Sequence, residues 1–292
     1  MKKVWFITGS SRGLGRSLTE AVLASGDQVA ATARKPDELN DLVDKYKDQI
    51  LPLKLDVTKN AQISKAVSDT VDHFGRIDVL VNNAGFGVTG AAEAFTEDQV
   101  RNQLETNLYA PIEITRAVLP YMREQCSGRI LQISSIGGRI GNPGLSIYMA
   151  AKFGVSGFSE AVAKEVAPLG IYVTSIEPGG FRTDWGGASM TYAEQVEGYD
   201  KTVGSMIDYL KNHYTPLGDP EKAAKVMVEL AAEPNPPVHL ILGSESAIML
   251  KQYFADRQEE YDKWLPVTLS TDHEDAPETF KLHDGQLFDT KK

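Results

Sequence analysis

The chain has 292 residues, 42% of them apolar and 24% charged, with a formal net charge of −10. That apolar content supplies a full hydrophobic core without disulfides or a structural metal, and the acidic balance, with no basic run, excludes wrapping of nucleic acid. The single cysteine, Cys126, has no internal partner, the apolar run after Met1-Lys2-Lys3 stops at Thr8-Gly9, and no apolar stretch nears the roughly 18 residues of a membrane span, so a reducing cytoplasm is the expected setting.

Val4 to Thr8 has the pattern of a short buried strand and runs directly into Gly9-Ser10-Ser11-Arg12-Gly13-Leu14-Gly15, then the helical run RSLTEAVLASG ending at Gly26. Strand, glycine turn and helix in that order form a phosphate cradle, with the anion facing the helix N-terminus. The spacing is GxxxGxG, not GxGxxG. A second strand, Gln28 to Ala33, ends where an NAD-binding chain places a carboxylate for the ribose 2′-hydroxyl, but Ala33, Arg34 and Lys35 stand there instead. Arg34, with Arg12, therefore favours the 2′-phosphate of NADP; the alternative is that Arg34 and Lys35 begin a solvated helix ahead of Pro36.

Ile50 to Leu55 reads as a third strand, closed by Asp56-Val57-Thr58, and Asn60 to Phe74 as a crossover helix. Asp56 either accepts from an adenine amino group or caps that helix. Ile77 to Val81 reads as a fourth strand with Asn82-Asn83-Ala84-Gly85 at its carboxyl end, where ligands of open parallel sheets bind. Val100 to Glu124 is a helical stretch interrupted near Asn107, a polar residue that is either a satisfied core amide or part of a water relay.

The run RILQIS is a fifth strand that delivers Ser135, and Tyr148 and Lys152 lie four apart on one helical face in the segment that follows. This trio suits proton transfer at an oxygen. Ser135 would hold the reacting carbonyl or hydroxyl, Tyr148 would act as general acid or base, and Lys152 would depress the phenol. A phenol near 10 needs about 4 kcal/mol to ionise easily at neutral pH, which is about what an ammonium about 4 Å away supplies at an effective dielectric of about 20.

Ile171 to Ile176 is a sixth strand, followed by Glu177-Pro178-Gly179-Gly180-Phe181-Arg182-Thr183, a stretch suited to lie against a flat ring, with Thr183 placed on a polar substituent. Trp185 to Leu217 has no strand character and carries many aromatics, Trp185 and Met190 among its apolar residues, as a lid over an apolar ligand would; the alternative is that these residues are plain packing. Asp219-Pro220 opens a helix to Ala232, Val238 to Leu242 is a seventh strand, and Ser246 to Trp264 a last helix. Residues 1–264 then form one doubly wound parallel α/β domain of the Rossmann type with about seven strands, and 265–292 a polar tail whose runs STDHEDAPETF and LHDGQLFDTKK look loosely ordered. The five histidines show no ligand spacing, so no metal is expected.

TGSSRGLG at 8–15, Asp56, NNAG at 82–85, Asn107, Ser135, YMAAK at 148–152 and PGGFRT at 178–183 occur in one order along residues 3 to 245. In this the chain resembles the short-chain dehydrogenase/reductase family, in its branch with the pattern TGxxxGxG. The resemblance implies a catalytic set of Asn107, Ser135, Tyr148 and Lys152, with Asn107 completing a proton relay and Ser135 chosen over Ser134. It implies cofactor contacts from Gly9, Ser11, Arg12, Gly13, Leu14, Gly15, Arg34, Asp56, Val57, Asn83, Ala84, Gly85, Tyr148, Lys152, Pro178, Gly179, Phe181 and Thr183. A basic residue at 34 is similar to the NADP-preferring group, which makes NADP(H) the expected cofactor. A carbonyl or alcohol substrate, probed among steroids, retinoids and small aldehydes and ketones, and a homodimer or homotetramer are what the family habit implies. The rival expectations are an NAD-dependent alcohol dehydrogenase and a cofactor-sensing protein that no longer does chemistry; the intact Ser135, Tyr148 and Lys152 stand against the second.

Overall fold

The computed structural model describes residues 2–187 and 189–271. The polar tail expected over 265–292 therefore lies largely outside the described residues, as do its two runs from Asp272 on. The chain divides into a compact unit, Met1–Leu250, and a second, Lys251–Lys292.

The described residues of the first unit form nine strands, all paired in parallel, seven of them in one sheet: β1 (Val4–Thr8), β2 (Gln28–Ala33), β3 (Ile50–Lys54), β4 (Val79–Asn82), a short β5 (Gly87–Thr89) outside that sheet, then β6 (Gly128–Ile133), β7 (Ile171–Pro178), a second short strand β8 (Met190–Tyr192) that pairs with β5, and β9 (His239–Leu242). The large sheet runs β3-β2-β1-β4-β6-β7-β9, a Rossmann-type order. The chain moves outward from β1 to β3, then returns to lay β4 on the other side of β1. That reversal opens a crevice beyond the carboxyl ends of β1 and β4.

Helices cover both faces because the strands are buried on both. All five residues of β1 are buried, with Trp5 and Ile7 in one core and Phe6 in the other. The Trp5 core is packed by α1 (Gly13–Ala24), α2 (Asn40–Tyr46) and, later in the chain, by Ala223, Ala224 and Met227 of the helix Pro220–Leu230. The Phe6 core is packed by α3 (Asn60–Phe74), α5 (Ala110–Gln125) and α6 (Ser146–Val166), of which Ile63, Ile114 and Val162 are representative. Preceding α5 is α4 (Glu97–Leu104), opened by a capping box in which Thr96 and Gln99 satisfy each other's backbone N–H. The remaining helices are α7 (Ser205–Asp208), α8 (Pro220–Leu230), whose Asp219 cap accepts from the Glu221 and Lys222 amides, and α9 (Ser244–Leu269).

Several boundaries differ from the sequence reading for local reasons. The fourth strand begins at Val79, not Ile77, because both backbone groups of Ile77 are taken by the Gln125 carboxamide. The helix expected over Val100 to Glu124 starts at Glu97 through its capping box, and the break near Asn107 is a π turn over Glu105–Tyr109. The last helix runs from Ser244 to Leu269 rather than Ser246 to Trp264. The segment Trp185 to Leu217 does contain a strand: Met190–Tyr192 pairs in parallel with Gly87–Thr89. Three residues paired to an equally short partner leave no alternation for a sequence pattern to register. Within Lys251–Lys292, helix α9 continues to Leu269 and exposes Phe254, Tyr261 and Trp264. No described helix is long and apolar enough to cross a membrane.

Candidate active site

Four of the sequence-chosen groups meet at the carboxyl edge of the sheet. Gly9 and Gly13 adopt φ of +69° and +56°, a region that glycine enters without strain. Gly15 could not be replaced: a Cβ there would lie 2.3 Å from both the Asn83 amide nitrogen and the Gly9 carbonyl oxygen. Asn83 donates from its side chain to the Thr8 carbonyl at 2.9 Å and to that of Gly9 at 3.1 Å, while the Thr8 hydroxyl accepts from the amides of Asn83 and Ala84. The loops after β1 and β4 are thereby stitched together at the crevice. Thr183 closes the same space from the β7 side, its side chain 3.5 Å from where a Gly13 Cβ would stand.

These residues fit a dinucleotide. The N-terminus of α1 carries no acidic residue in its first turn and no side-chain cap, so its amides and positive dipole end remain available to an anion. Ser11 and Leu14 lie half-buried in this turn, with Leu14 packed on the Trp5 core. Arg12 and Arg34 are exposed at the ends of β1 and β2. Arg34, Lys35 and Lys54 line one surface groove, together with Asp37 and Glu38. Lys35 is the cap position of a 3-10 turn, Pro36–Leu39, that runs directly into α2, so Arg34 and Lys35 stand at the mouth of a helical run with Pro36 in its first turn.

Asp56 holds the amide and hydroxyl of Thr58 at 3.0 and 2.8 Å. It therefore shapes the turn ahead of α3 and does not cap the helix, whose cap position is Lys59. Burial pushes its carboxyl up, but the Thr58 bonds and the nearby Lys59 and Arg34 outweigh this and leave it below the usual range. Val57 beside it is buried. Pro178 and Gly179 lead out of β7, and Phe181 bridges to Gly218 and packs on the Trp5 core. Gly179 lies against the Ser246 hydroxyl.

Ser135, Tyr148 and Lys152 stand together where β6 ends and α6 begins. Ser134 and Ser135 point opposite ways, as neighbours on an extended backbone must. The Ser134 hydroxyl is buried against the Lys152 carbonyl and the Ser156 hydroxyl, whereas that of Ser135 accepts from the Gly137 amide at 3.0 Å and donates to the Pro178 carbonyl at 3.4 Å. Across Gly137, Ser135 Oγ faces the Tyr148 ring; a Cβ on that glycine would lie 3.4 Å from each. Tyr148 is 6% exposed, covered by Trp185 with ring centroids 5.3 Å apart, and packed with Leu145, Met149 and Met190.

The electrostatics differ from the expectation. Burial pushes the Tyr148 phenol up to about 12, with Ser135 pulling the other way, and burial pushes the Lys152 ammonium down to about 8. Lys152 donates from Nζ to the Ile133 carbonyl at 2.7 Å and lies 5.7 Å from the centroid of the Tyr148 ring. An ammonium over the ring meets its negative face and does little for ionisation of the hydroxyl at its edge. In this arrangement desolvation of the phenol outweighs the cation beside it. A Lys152 held at about 8 against an unfolded value of 10.5 takes up its proton less readily when folded, so its cost, roughly 3 kcal/mol, is largest below pH 8 and vanishes above 10.5. Stability of the cofactor-free protein should rise between pH 8 and 10, and Lys152→Met should flatten that rise. Chemical denaturation across that window checks it; equal slopes in both proteins would sink the assignment.

Asn107 is fully buried in the π turn Glu105–Tyr109, where the widened ring displaces backbone groups from the regular ladder. Its carboxamide donates to the Phe86 carbonyl at 2.7 Å and accepts from the Phe86 amide at 3.1 Å. Both bonds fix the segment after Asn83-Ala84-Gly85. Among the described residues no group of three or more His, Cys, Asp or Glu could hold a metal ion.

The sequence reading put Trp185 and Met190 in a lid segment but did not bring them onto Tyr148, and it passed over Phe86 and Thr8 as the residues that join the loops. Only the aromatic density after residue 184 pointed that way.

The family described as short chain dehydrogenase matches residues 3–192. An oxidoreductase of Botryotinia fuckeliana is 44% identical over 93% of this chain and all of its own length. A 3-ketodihydrosphingosine reductase of Bacteroides thetaiotaomicron is 34% identical over 90% of this chain and 93% of its own. The crystal structure of a short-chain dehydrogenase from Streptomyces avermitilis superposes with a TM-score of 0.89 at 38% identity, covering 94% of this chain and all of that one. With the glycine turn, the Asn83 stitch and the Ser135–Tyr148–Lys152 cluster on one sheet edge, these likenesses place the chain in the short-chain dehydrogenase family of oxidoreductases.

Proposed function

We propose that the protein is an NADP(H)-dependent oxidoreductase acting on an apolar carbonyl or alcohol, with Tyr148 as its general acid and base. The observation that carries this reading is the convergence of the Ser135 hydroxyl and the Tyr148 phenol across Gly137, beside the crevice between the β1 and β4 loops. Gly9, Ser11, Gly13, Leu14 and Gly15 would hold the pyrophosphate, Arg12 and Arg34 the 2′-phosphate, Asp56 and Val57 the adenine end, and Asn83, Ala84, Gly85 and the Pro178–Thr183 segment the nicotinamide end. When bound, the nicotinamide supplies or accepts the hydride.

Ser135 fixes the substrate oxygen, and Tyr148 gives that oxygen a proton in the reducing direction and takes it back in the other. A phenol that burial keeps protonated is a ready donor; Lys152 becomes useful as a base-stabilising cation once it turns from the Ile133 carbonyl toward the hydroxyl side. Asn107 serves the set by holding Phe86 and thereby the loop after β4. Assembly into a dimer or tetramer through the helices around Asn107 and Tyr148 belongs to the same reading and is checked by light scattering.

The walls above Tyr148, from Trp185, Met190, Leu145 and Tyr192, are apolar. A long-chain or polycyclic ketone suits them, and one relative named for a long-chain keto substrate lies in the same direction. NADPH consumption with a panel of aldehydes, ketones, retinoids and steroids tests the proposal; no turnover with any of them would defeat it. Trp185→Ala should raise KM for the best substrate about tenfold, the worth of about 1.4 kcal/mol of apolar contact, with kcat within threefold. An unchanged KM would remove Trp185 from the pocket.

A further inference from the structure

Behind the cluster lies a group of charges that the proposed chemistry does not use. Glu177, in β7, is fully buried. Its carboxylate meets the His239 Nδ1 at 2.7 Å, accepts from the Ser175 hydroxyl at 3.2 Å and from Arg139 at 3.4 Å on each oxygen. His239, on the neighbouring strand β9, turns its Nε2 to Glu160 of α6 at 2.8 Å. A carboxylate this deep is held only because a guanidinium and an imidazole offset its desolvation.

Three of these groups sit on different parts of the site, and His239 links two of them. Arg139 directly follows the 3-10 turn Ile136–Gly138 that Ser135 caps. Glu177 directly precedes Pro178, whose carbonyl receives the Ser135 hydroxyl. Glu160 belongs to the helix carrying Tyr148 and Lys152. A second line runs inward from the same carboxylate through buried hydroxyls: Ser175 to Ser156 at 3.5 Å, Ser156 to Ser134 at 3.0 Å, and Ser134 to the Lys152 carbonyl at 3.1 Å. Gly138 sits down on this line, where a Cβ would come within 2.8 Å of Ser134 Oγ, Ser156 Oγ and the Lys152 carbonyl oxygen.

We infer that Glu177 is a positioning residue: gripped by Arg139 and His239, it ties the Ser135 turn to the end of β7 and to helix α6, and so sets the Ser135 hydroxyl against Tyr148. The inference rests on the reading of Ser135 and Tyr148 given above. A carboxamide of the same shape keeps the Ser175 bond but loses the charge that holds Arg139.

The test compares Glu177→Gln, Arg139→Gln, Arg139→Lys and the double variant Glu177→Gln/Arg139→Gln, using NADPH and the carbonyl compound of the panel that is turned over fastest. Glu177→Gln and Arg139→Gln should each lower kcat about tenfold while NADPH Kd stays within twofold, and Arg139→Lys should recover most of the loss. In the Glu177→Gln background, Arg139→Gln should cost less than it does alone, because the ion pair between the two is lost in either single variant. Amide exchange at residues 137–139 should quicken in both single variants with that of residues 130–132 unchanged, a readout that needs no substrate.

Unchanged kcat in both single variants overturns the inference, as does a loss of kcat that tracks a matching loss of NADPH affinity and thermal midpoint, the mark of plain destabilisation. If Glu177→Gln does not fold, the partly exposed Arg139 variants and their exchange rates decide alone. Should Tyr148→Phe prove fully active, the catalytic reading has failed, and the exchange rates at 137–139 still decide whether Glu177 holds the turn.

Discussion

Tyr148→Phe should lower kcat by about 10²–10⁴ while NADPH binds within twofold of the parent affinity, because removing a positioned general acid or base costs about that much and leaves the ring in place. The ring is what packs: it lies among Leu145, Met149, Met190 and Trp185, and phenylalanine preserves all of those contacts. The hydroxyl is held near Ser135, so its loss leaves that serine still bonded to the Gly137 amide and the Pro178 carbonyl. Stability should change little, and an unchanged thermal midpoint rules it out as a cause. Steady-state rates and fluorescence titration of NADPH read the two parts separately. A variant with parental kcat would end the assignment of Tyr148, and one that lost NADPH binding as well would recast the tyrosine as a cofactor contact only.

The same residue supplies a pH expectation. Burial holds the Tyr148 phenol up at about 12, so the cofactor-free protein should keep it protonated through the neutral range. A group whose folded pKa lies above its unfolded value of 10 contributes stability present below pH 10 and lost as pH rises toward 12. Spectroscopic titration of the parent against Tyr148→Phe isolates this phenol; a difference signal appearing near pH 7 without cofactor would mean that Lys152 already dominates over desolvation.

The fold was legible because its central strands are short and almost wholly buried. Val4–Thr8 and Gln28–Ala33 stand out as apolar and β-branched runs closed by turn residues, and both occupy the ranges expected. The loops that end those strands were legible for a different reason: Gly9 and Gly13 need positive φ, and few other residues tolerate it. Contacts across the chain left no such trace. Trp185 reaches Tyr148 over 37 positions of sequence, and Met190 is positioned by a three-residue strand paired with Gly87–Thr89. The direction of the Lys152 ammonium is set by a single carbonyl, that of Ile133, and the commitment of Asn107 by the backbone of Phe86. Both are choices among hydrogen-bond partners that only the assembled backbone presents. A spacing of four places Tyr148 and Lys152 on one face, but burial decides which of them holds its proton.

Arg34→Ala should weaken NADPH binding tenfold to a hundredfold and leave NADH binding within twofold, since an arginine–phosphate bond is worth about 1.5–3 kcal/mol and NADH has no 2′-phosphate to lose. Arg34 stands exposed just past β2, in the groove it shares with Lys35 and Lys54, and near enough to Asp56 to help hold that carboxyl down. Asp37 and Glu38 line the same groove and oppose a dianion, so the preference depends on the cations outweighing them. Solvent screens all of these groups, which is why the expected effect comes from a direct hydrogen-bonded contact and not from the summed field. Arg34→Asp should go further and reverse the preference, because it restores the carboxylate that would accept from a ribose 2′-hydroxyl and repel a phosphate. Arg12→Ala should weaken NADPH alone by a smaller factor and add to Arg34→Ala only in part, as two cations on one phosphate share its charge. Parallel titrations of NADPH and NADH measure every one of these variants. Equal loss for both dinucleotides in Arg34→Ala would mean that the residue supports the loop and does not read the 2′-phosphate, and the cofactor would then have to be assigned on other groups.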